Sequence, residues 1–333
     1  MNSSTSNING RSVATAYCVY VFLGGILLGG MAKRGIENAR QDPEGLRPLP
    51  RSFWVQKTFA DADYDIVVAG DSRAYCGLVP SKLVAWRRGA RALNLGYPLA
   101  GWTEEYYRLI EGKLSRDGMR ILVLGVSPYS LTTSARANPS MRRYLDTPRL
   151  EIVLAKRLPA VVLWFRPIIM SDLPSWLLGL GPFAPASERK WPEFQIPHED
   201  GWIESWGDTV SIDGNLNFYR RIFDKERISG TVLESLVARI VNWRAQGIQV
   251  FCVRVPASVE VEEVEDSLSG IGERMISDYL EKAGGTWIAI DEREGYRTYD
   301  GSHLFREDAL RLSEHIGSAI EESVVKQAGS GSL

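Results

Sequence analysis

Two short motifs near opposite ends of this 333-residue chain hold side chains able to do chemistry together. The first is Gly70-Asp71-Ser72-Arg73, directly after the apolar run Asp65–Ala69. A serine on a tight turn from strand into helix presents its hydroxyl to solvent beside the first N–H groups of the helix. Such donors can stabilise an oxyanion. Serine is a weak nucleophile at neutral pH and needs a base; with only three histidines the search is short. His303 lies in Tyr299-Asp300-Gly301-Ser302-His303-Leu304. Asp300, three residues ahead on the same loop, can reach Nδ1 of the imidazole and leave Nε2 to accept the serine proton. The expected roles are Ser72 as nucleophile, His303 as base and Asp300 as the group that orients it. His315 lies mid-helix and reads as surface or packing, while His198, in Pro197-His198-Glu199-Asp200, is a candidate substrate contact. Gly-Asp-Ser also suits a plain turn with an N-cap. Position favours the chemical reading, because one motif ends the first strand and the other precedes the last helix.

Two arginines flank the same edge. Arg73 follows the serine and can either hold a carboxylate or phosphate of a substrate or form an ordinary structural ion pair. Arg254 ends the fourth apolar run and is a second candidate for anion binding. Cys76 and Cys252 fall near opposite ends of their strands, which argues against a bridge between them.

These residues meet only if the chain between them folds both motifs to one edge. From residue 61 onward, short apolar runs alternate with helical patterns. The runs are Asp65–Ala69, Ala92–Leu95, Ile121–Leu124, Gln249–Val255 and Thr286–Ile290. The helical patterns are Ser81–Arg88, Thr103–Ser115, Val232–Ala245, Gly272–Lys282 and Arg306–Val325. Apolar strands separated by helices imply a mainly parallel five-stranded sheet covered on both faces. Right-handed crossovers then give a three-layer α/β sandwich over residues 61–327, with 328–333 as a flexible tail. Ligands of such sheets bind beyond the carboxyl ends of the strands.

The alternation breaks between about residues 130 and 230. That stretch holds half of the ten tryptophans and the apolar segment Leu158–Phe183, whose prolines and Arg166 prevent a clean membrane span. It is expected to be an inserted cap of short helices and loops. It serves either as a lid or acyl-binding wall resting on the bilayer or as a small accessory core.

Before the body, Ser12–Ala32 carries no charge and reaches the roughly 20 residues that cross a bilayer as a helix. A signal-anchor helix within residues 1–34 is the leading reading. A cleaved signal peptide cut after Ala32 and a buried helix are the others, the last opposed by four glycines. Residues 35–60, with three prolines and many charges, read as a linker. The chain is 44% hydrophobic with a net charge of −2, which excludes a disordered chain and gives no attraction to nucleic acid. Three cysteines without metal-ligand spacing argue against a zinc module or a disulfide scaffold. No metal site, nucleotide-phosphate loop or other cofactor motif is present in the sequence.

Gly70-Asp71-Ser72 and Asp300-x-x-His303, so placed, resemble the SGNH (GDSL-like) hydrolases over roughly Asp63–Leu131 and Ile248–Val325. The resemblance implies a flavodoxin-like fold, a catalytic triad of Ser72, Asp300 and His303, and no cofactor. It also implies oxyanion donors from the Ser72 backbone N–H, from a glycine after the second strand and from an asparagine after the third. Gly101 is assigned to the second place, with the N–H of Leu99 as another donor there. Gly125-Val126-Ser127-Pro128 puts Ser127 where the family has its asparagine. Losing one oxyanion donor costs roughly a hundred- to a thousandfold in turnover, so this departure bears on activity.

Gly-Asp-Ser-Arg with Gly-Val-Ser-Pro is similar to the membrane-anchored branch related to alginate O-acetylation and teichoic-acid D-alanylation proteins. That likeness implies a single-pass membrane protein with its body outside the cytoplasm, against a slight excess of positive charge after the apolar segment. The implied partners are an acylated glycan or small ester, the membrane through the N-terminal helix, and a membrane protein complex. The implied activities are a serine esterase working through an acyl-enzyme, or an O-acyltransferase using the same triad. The third reading is a catalytically silent polysaccharide-binding or scaffold protein.

Overall fold

The computed structural model describes residues 51–157, 193–207 and 211–330. Its strands are β1 (Ile66–Gly70), β2 (Ala92–Asn94), β3 (Ile121–Gly125), β4 (Glu193–Pro197), β5 (Ile203–Gly207), β6 (Gln249–Val253) and β7 (Thr286–Trp287). The helices are α1 (Arg51–Thr58), α2 (Ser72–Gly77), α3 (Pro80–Leu83), α4 (Glu104–Glu111), α5 (Thr133–Ala137) and α6 (Arg142–Leu145). They continue with α7 (Arg149–Arg157), α8 (Asp213–Phe223), α9 (Gly230–Ala245), α10 (Val259–Leu268), α11 (Glu273–Lys282) and α12 (Arg306–Ser330).

Five strands form one all-parallel sheet in the order β2-β1-β3-β6-β7. Side chains of successive strand residues point to opposite faces, and two cores follow from that alternation. Val67, Ala69, Leu122, Leu124, Val250 and Cys252 pack on one side with α1, α4, α9 and α11. Ile66, Val68, Ile121, Val123, Phe251 and Val253 pack on the other with Leu78, Leu83 and α12. The result is the three-layer α/β arrangement. The winding reverses between β1 and β3, so the loops after these two strands diverge and leave a crevice at their carboxyl ends.

Four stretches differ from the sequence expectation. Arg51–Thr58, expected within the linker, is a helix with Phe53, Trp54 and Val55 in the core. Its apolar triplet outweighs the nearby prolines. Ser81–Arg88 shrinks to α3, a single turn begun by Pro80, and the chain reverses at Gly89 with φ +81°. The stretch expected as helices and loops contributes the antiparallel hairpin β4–β5. The backbone N–H of Asn94 donates to Asp200 O at 2.7 Å, so the hairpin's turn covers the exposed edge of β2. The terminal helix runs to Ser330, past the expected start of a flexible tail.

Beyond the sheet's carboxyl edge, α8 packs on α10 through Leu216, Tyr219, Phe223, Val261 and Val264. Among the described residues no helix is long and apolar enough to cross a membrane. Segments 12–32 and 158–183 lie outside the described residues.

Candidate active site

The turn that carries Ser72 is built by close backbone approach. Gly70 has φ +149°, and a Cβ there would sit 2.6 Å from Gly125 O and 2.7 Å from Ala74 Cβ. Glycine alone lets α2 begin so near the sheet. Asp71 caps the helix, its Oδ1 accepting from Arg73 N at 3.0 Å. Tyr106 steadies the strand end: its hydroxyl accepts the Gly70 N–H at 2.8 Å and lies 2.9 Å from Leu95 O. Asn94, fully buried, donates to Ala74 O and Leu78 O at 2.9 and 2.7 Å. The far end of α2 is thereby tied to β2.

The loop from Tyr299 to His303 is closed on itself. Tyr299 N donates to His303 O at 3.0 Å, and Gly301 takes φ +84°. Asp300 Oδ1 accepts from the backbone N–H groups of Ser302 and His303 at 3.0 and 2.9 Å. Its Oδ2 lies 2.7 Å from His303 Nδ1, and Nε2 of the same ring lies 2.8 Å from Ser72 Oγ. Burial pushes the Asp300 carboxyl up, but the His303 imidazole and the backbone donors outweigh it and bring it down to about 2. An ionised carboxylate can only accept, so Nδ1 carries the proton and Nε2 accepts from the serine hydroxyl. The structure therefore brings Ser72, His303 and Asp300 into one hydrogen-bonded chain, half-buried at the sheet's carboxyl edge.

Parts of the expected insert brace this chain. Asn215 of α8 donates to Asp300 O at 3.0 Å. Gln195 of β4 donates to the Tyr299 hydroxyl at 3.2 Å, and the Tyr299 ring stacks on His303 at 5.6 Å. From the hairpin, Trp202 Nε1 donates to Cys76 O in α2 at 2.9 Å.

The other expected site residues are placed differently. Ser127 is buried, and its hydroxyl donates to Asp71 Oδ2 at 2.5 Å while accepting from Ser130 N. Its proton is held by the Asp71 carboxylate, which is the correction to its expected oxyanion role. Gly101 packs against the backbone of Ala135 and Arg136, where a Cβ would come within 2.4 Å. Gly96 is the residue pressed onto the serine turn, with a Cβ position 2.8 Å from Tyr75 N and 3.0 Å from Asp71 O. Three residues on, Leu99 adopts φ +54° and is 37% exposed. A left-handed leucine is uncommon and marks a constrained loop.

Arg73 and Arg254 are 1% exposed and share one carboxylate, which corrects their expected contact with a substrate anion. Arg73 grips Glu265 through both Nη atoms at 3.0 and 2.9 Å; Arg254 reaches the same group at 3.0 Å. Burial opposes the Glu265 charge, yet the two guanidinium groups hold its carboxyl below the ordinary range. His198 stacks on Trp202 at 4.6 Å and meets Glu204 at 2.7 Å, within the hairpin. Cys76 and Cys252 are free and buried.

Glu265, Ser302, Tyr219, Asn94 and Asn215 escaped the sequence reading. One signal was available: Val261, Val264, Glu265 and Leu268 share a face of α10 at helical spacing. A glutamate on an apolar stripe requires a buried cationic partner.

No family model matches the sequence, and no curated protein matches it. Among solved structures, one described provisionally as a platelet activating factor from Streptococcus pneumonia aligns with 91% of this chain and 98% of its own. The identity is 10% and the TM-score 0.34.

Proposed function

We propose that the protein is a serine-dependent acyl hydrolase of the SGNH (GDSL-like) type. The observation that carries the reading is the continuous chain Ser72 Oγ–His303 Nε2 at 2.8 Å and His303 Nδ1–Asp300 Oδ2 at 2.7 Å. Nucleophile, base and orienting carboxylate are all within hydrogen-bond reach, as acyl transfer requires.

In this mechanism Ser72 Oγ attacks an ester carbonyl carbon while its proton passes to His303 Nε2. On the family resemblance we assign the tetrahedral oxyanion to the backbone N–H of Ser72 and to an N–H of the loop after β2, with Leu99 as the candidate. Collapse breaks the ester C–O bond, and the imidazolium returns the proton to the leaving alkoxide. An acyl-serine remains. Water, or a sugar hydroxyl in a transferase, then attacks the acyl carbon by the same proton path in reverse. Asp300 stays ionised throughout and stabilises the imidazolium.

The substrates we assign, on the family resemblance, are small acyl esters of an envelope or extracellular glycan. The body is placed outside the cytoplasm on an N-terminal anchor; a carboxyl-terminal reporter active only in the cytoplasm would refute that placement. One observation favours a second reading, a silent polysaccharide-binding or scaffold protein: Ser127 gives its proton to Asp71 and not to the crevice.

A fluorophosphonate probe decides between them. The purified protein should be labelled, and Ser72→Ala and His303→Ala should not. Equal background labelling of all three proteins would establish the silent reading.

A further inference from the structure

We propose that Arg73 is a positioning residue for the Ser72–His303 pair. Clamped by Glu265, it holds Ser302 and so sets the separation across which the serine proton passes. This inference rests on the reading of Ser72 as nucleophile and His303 as its base.

Arg73 follows Ser72 in the chain, and Ser302 precedes His303. Arg73 Nε donates to Ser302 Oγ at 3.1 Å, beside the 2.8 Å contact between Ser72 and His303. Two loops more than two hundred residues apart in sequence are thus joined by paired contacts, one open and one sealed. The sealed one has little freedom. Both Nη atoms of Arg73 are taken by Glu265, a bidentate grip that fixes the guanidinium plane and with it the direction of Nε. Glu265 is held from its other side by Arg254, which is anchored in turn by Asp266 at 2.7 Å and Glu273 at 3.2 Å. The Tyr219 ring lies 5.0 Å from the Arg73 guanidinium, and its hydroxyl lies 2.8 Å from Ser302 Oγ.

Ser302 transmits this placement. Its backbone N–H and that of His303 are the two donors to Asp300 Oδ1. Whatever holds Ser302 therefore holds the carboxylate that orients the imidazole. A buried ion pair is no better for stability than well-packed apolar side chains, so bulk stability does not account for this arrangement. Geometry does: a catalytic group misplaced by about 1 Å can lose about a hundredfold in rate. Lysine, a point charge without a planar fork, loses the bidentate grip on Glu265 that fixes the direction of the donor to Ser302.

The test uses the full-length purified protein, an activated acetate ester and four variants. Ser302→Ala should lower kcat by about tenfold or more with KM within about twofold, since positioning acts on the transition state. Arg73→Lys should show the same split. The double variant should fall well short of the product of the two single losses, because both remove the Arg73–Ser302 contact. Tyr219→Phe removes the other hydrogen bond to Ser302 Oγ and keeps the one from Arg73, so its loss of kcat should be smaller than that of Arg73→Lys; a larger loss would assign the placement to Tyr219 and overturn the proposal. Thermal melts identify any variant that fails to fold, and Ser302→Ala alone then decides. Wild-type kcat in Ser302→Ala, or losses that multiply in the double variant, would overturn the proposal.

Should the wild type neither turn over ester nor react with the fluorophosphonate probe, the catalytic reading fails by itself. The clamp is then read by NMR from the His303 Nδ1 proton. A shifted or lost resonance in Ser302→Ala supports positioning of the imidazole, and an unchanged one overturns it.

Discussion

Ser72 and Arg73 are neighbours, as are Ser302 and His303, yet they belong to two relays of opposite character. In the outer relay, His303 and Asp300 keep 16% and 14% of their side-chain surface in contact with solvent. In the inner one, Arg73, Glu265 and Arg254 keep 2%, 0% and 2%. Successive residues at the start of a helix point about 100° apart, so one step along the chain separates the crevice from the interior. The chemistry differs accordingly. An imidazole changes its charge near neutral pH and can pass a proton, whereas a guanidinium does not lose its proton in a protein. In the proposed mechanism the outer relay takes up and returns a proton, whereas the cations of the inner relay are permanent and hold geometry.

The largest expected effect breaks the outer relay and spares the inner one. Ser72→Ala and His303→Ala should each lower ester turnover by at least about a thousandfold. Because neither touches the Arg73–Glu265 pair, their urea midpoints should stay close to wild type. A large loss of stability in Ser72→Ala would show that the two relays are not separable.

Breaking the inner relay should cost stability as well as turnover. Glu265→Ala leaves two guanidinium groups buried without their shared carboxylate and should cost about 3–5 kcal/mol of folding free energy. Replacing all three charged residues with apolar side chains of similar volume (Arg73→Met, Glu265→Leu, Arg254→Met) should restore most of that stability. It should not restore turnover if geometry is what the charges supply. Denaturant unfolding and steady-state kinetics on the same samples test both halves.

Acid titration sharpens the contrast. Folding lowers the Asp300 carboxyl from about 4 to about 2, so its stabilising contribution is complete above about pH 4 and is lost as pH falls through about 2. The contribution amounts to about 2 kcal/mol. Asp300→Asn should therefore flatten the acid limb of the stability curve, as read by urea midpoints between about pH 5 and 2.

How much of this could be read beforehand follows the range of the interactions. β1, β3 and, after Gln249, β6 are apolar runs, and their positions follow from local pattern alone. The outer relay was legible because its residue types are few and its motifs stand at the end of β1 and just before α12. The inner relay was not. Arg73 meets a glutamate 192 positions away, on a helix rich in acidic residues that is absent from the helical patterns read in the sequence. Only the placement of Glu265 beside Val261, Val264 and Leu268 betrays the burial. The hairpin was hidden for a related reason: its register and its cover over β2 depend on a contact between Asp200 and Asn94 that no local rule supplies.

Ser127 stands between the two regions and gives the smallest and most discriminating effect. It follows β3, at the crevice, as the family resemblance requires of an oxyanion donor. Its hydroxyl hydrogen nevertheless goes inward, to the carboxylate that caps the serine-bearing helix. Burial raises the Asp71 carboxyl, with Arg73 and the Ser127 hydroxyl opposing that rise. A hydroxyl so engaged has one proton and cannot also donate to a developing oxyanion. Ser127→Ala should then cost about 1–3 kcal/mol through the unpaired Asp71 oxygen, while kcat per folded molecule changes by less than about threefold. A drop of about a hundredfold in kcat with stability untouched would instead mean that the hydroxyl turns outward during catalysis and serves the reacting carbonyl. The ratio of the two losses, measured on one variant, thus assigns Ser127 to the scaffold or to the chemistry.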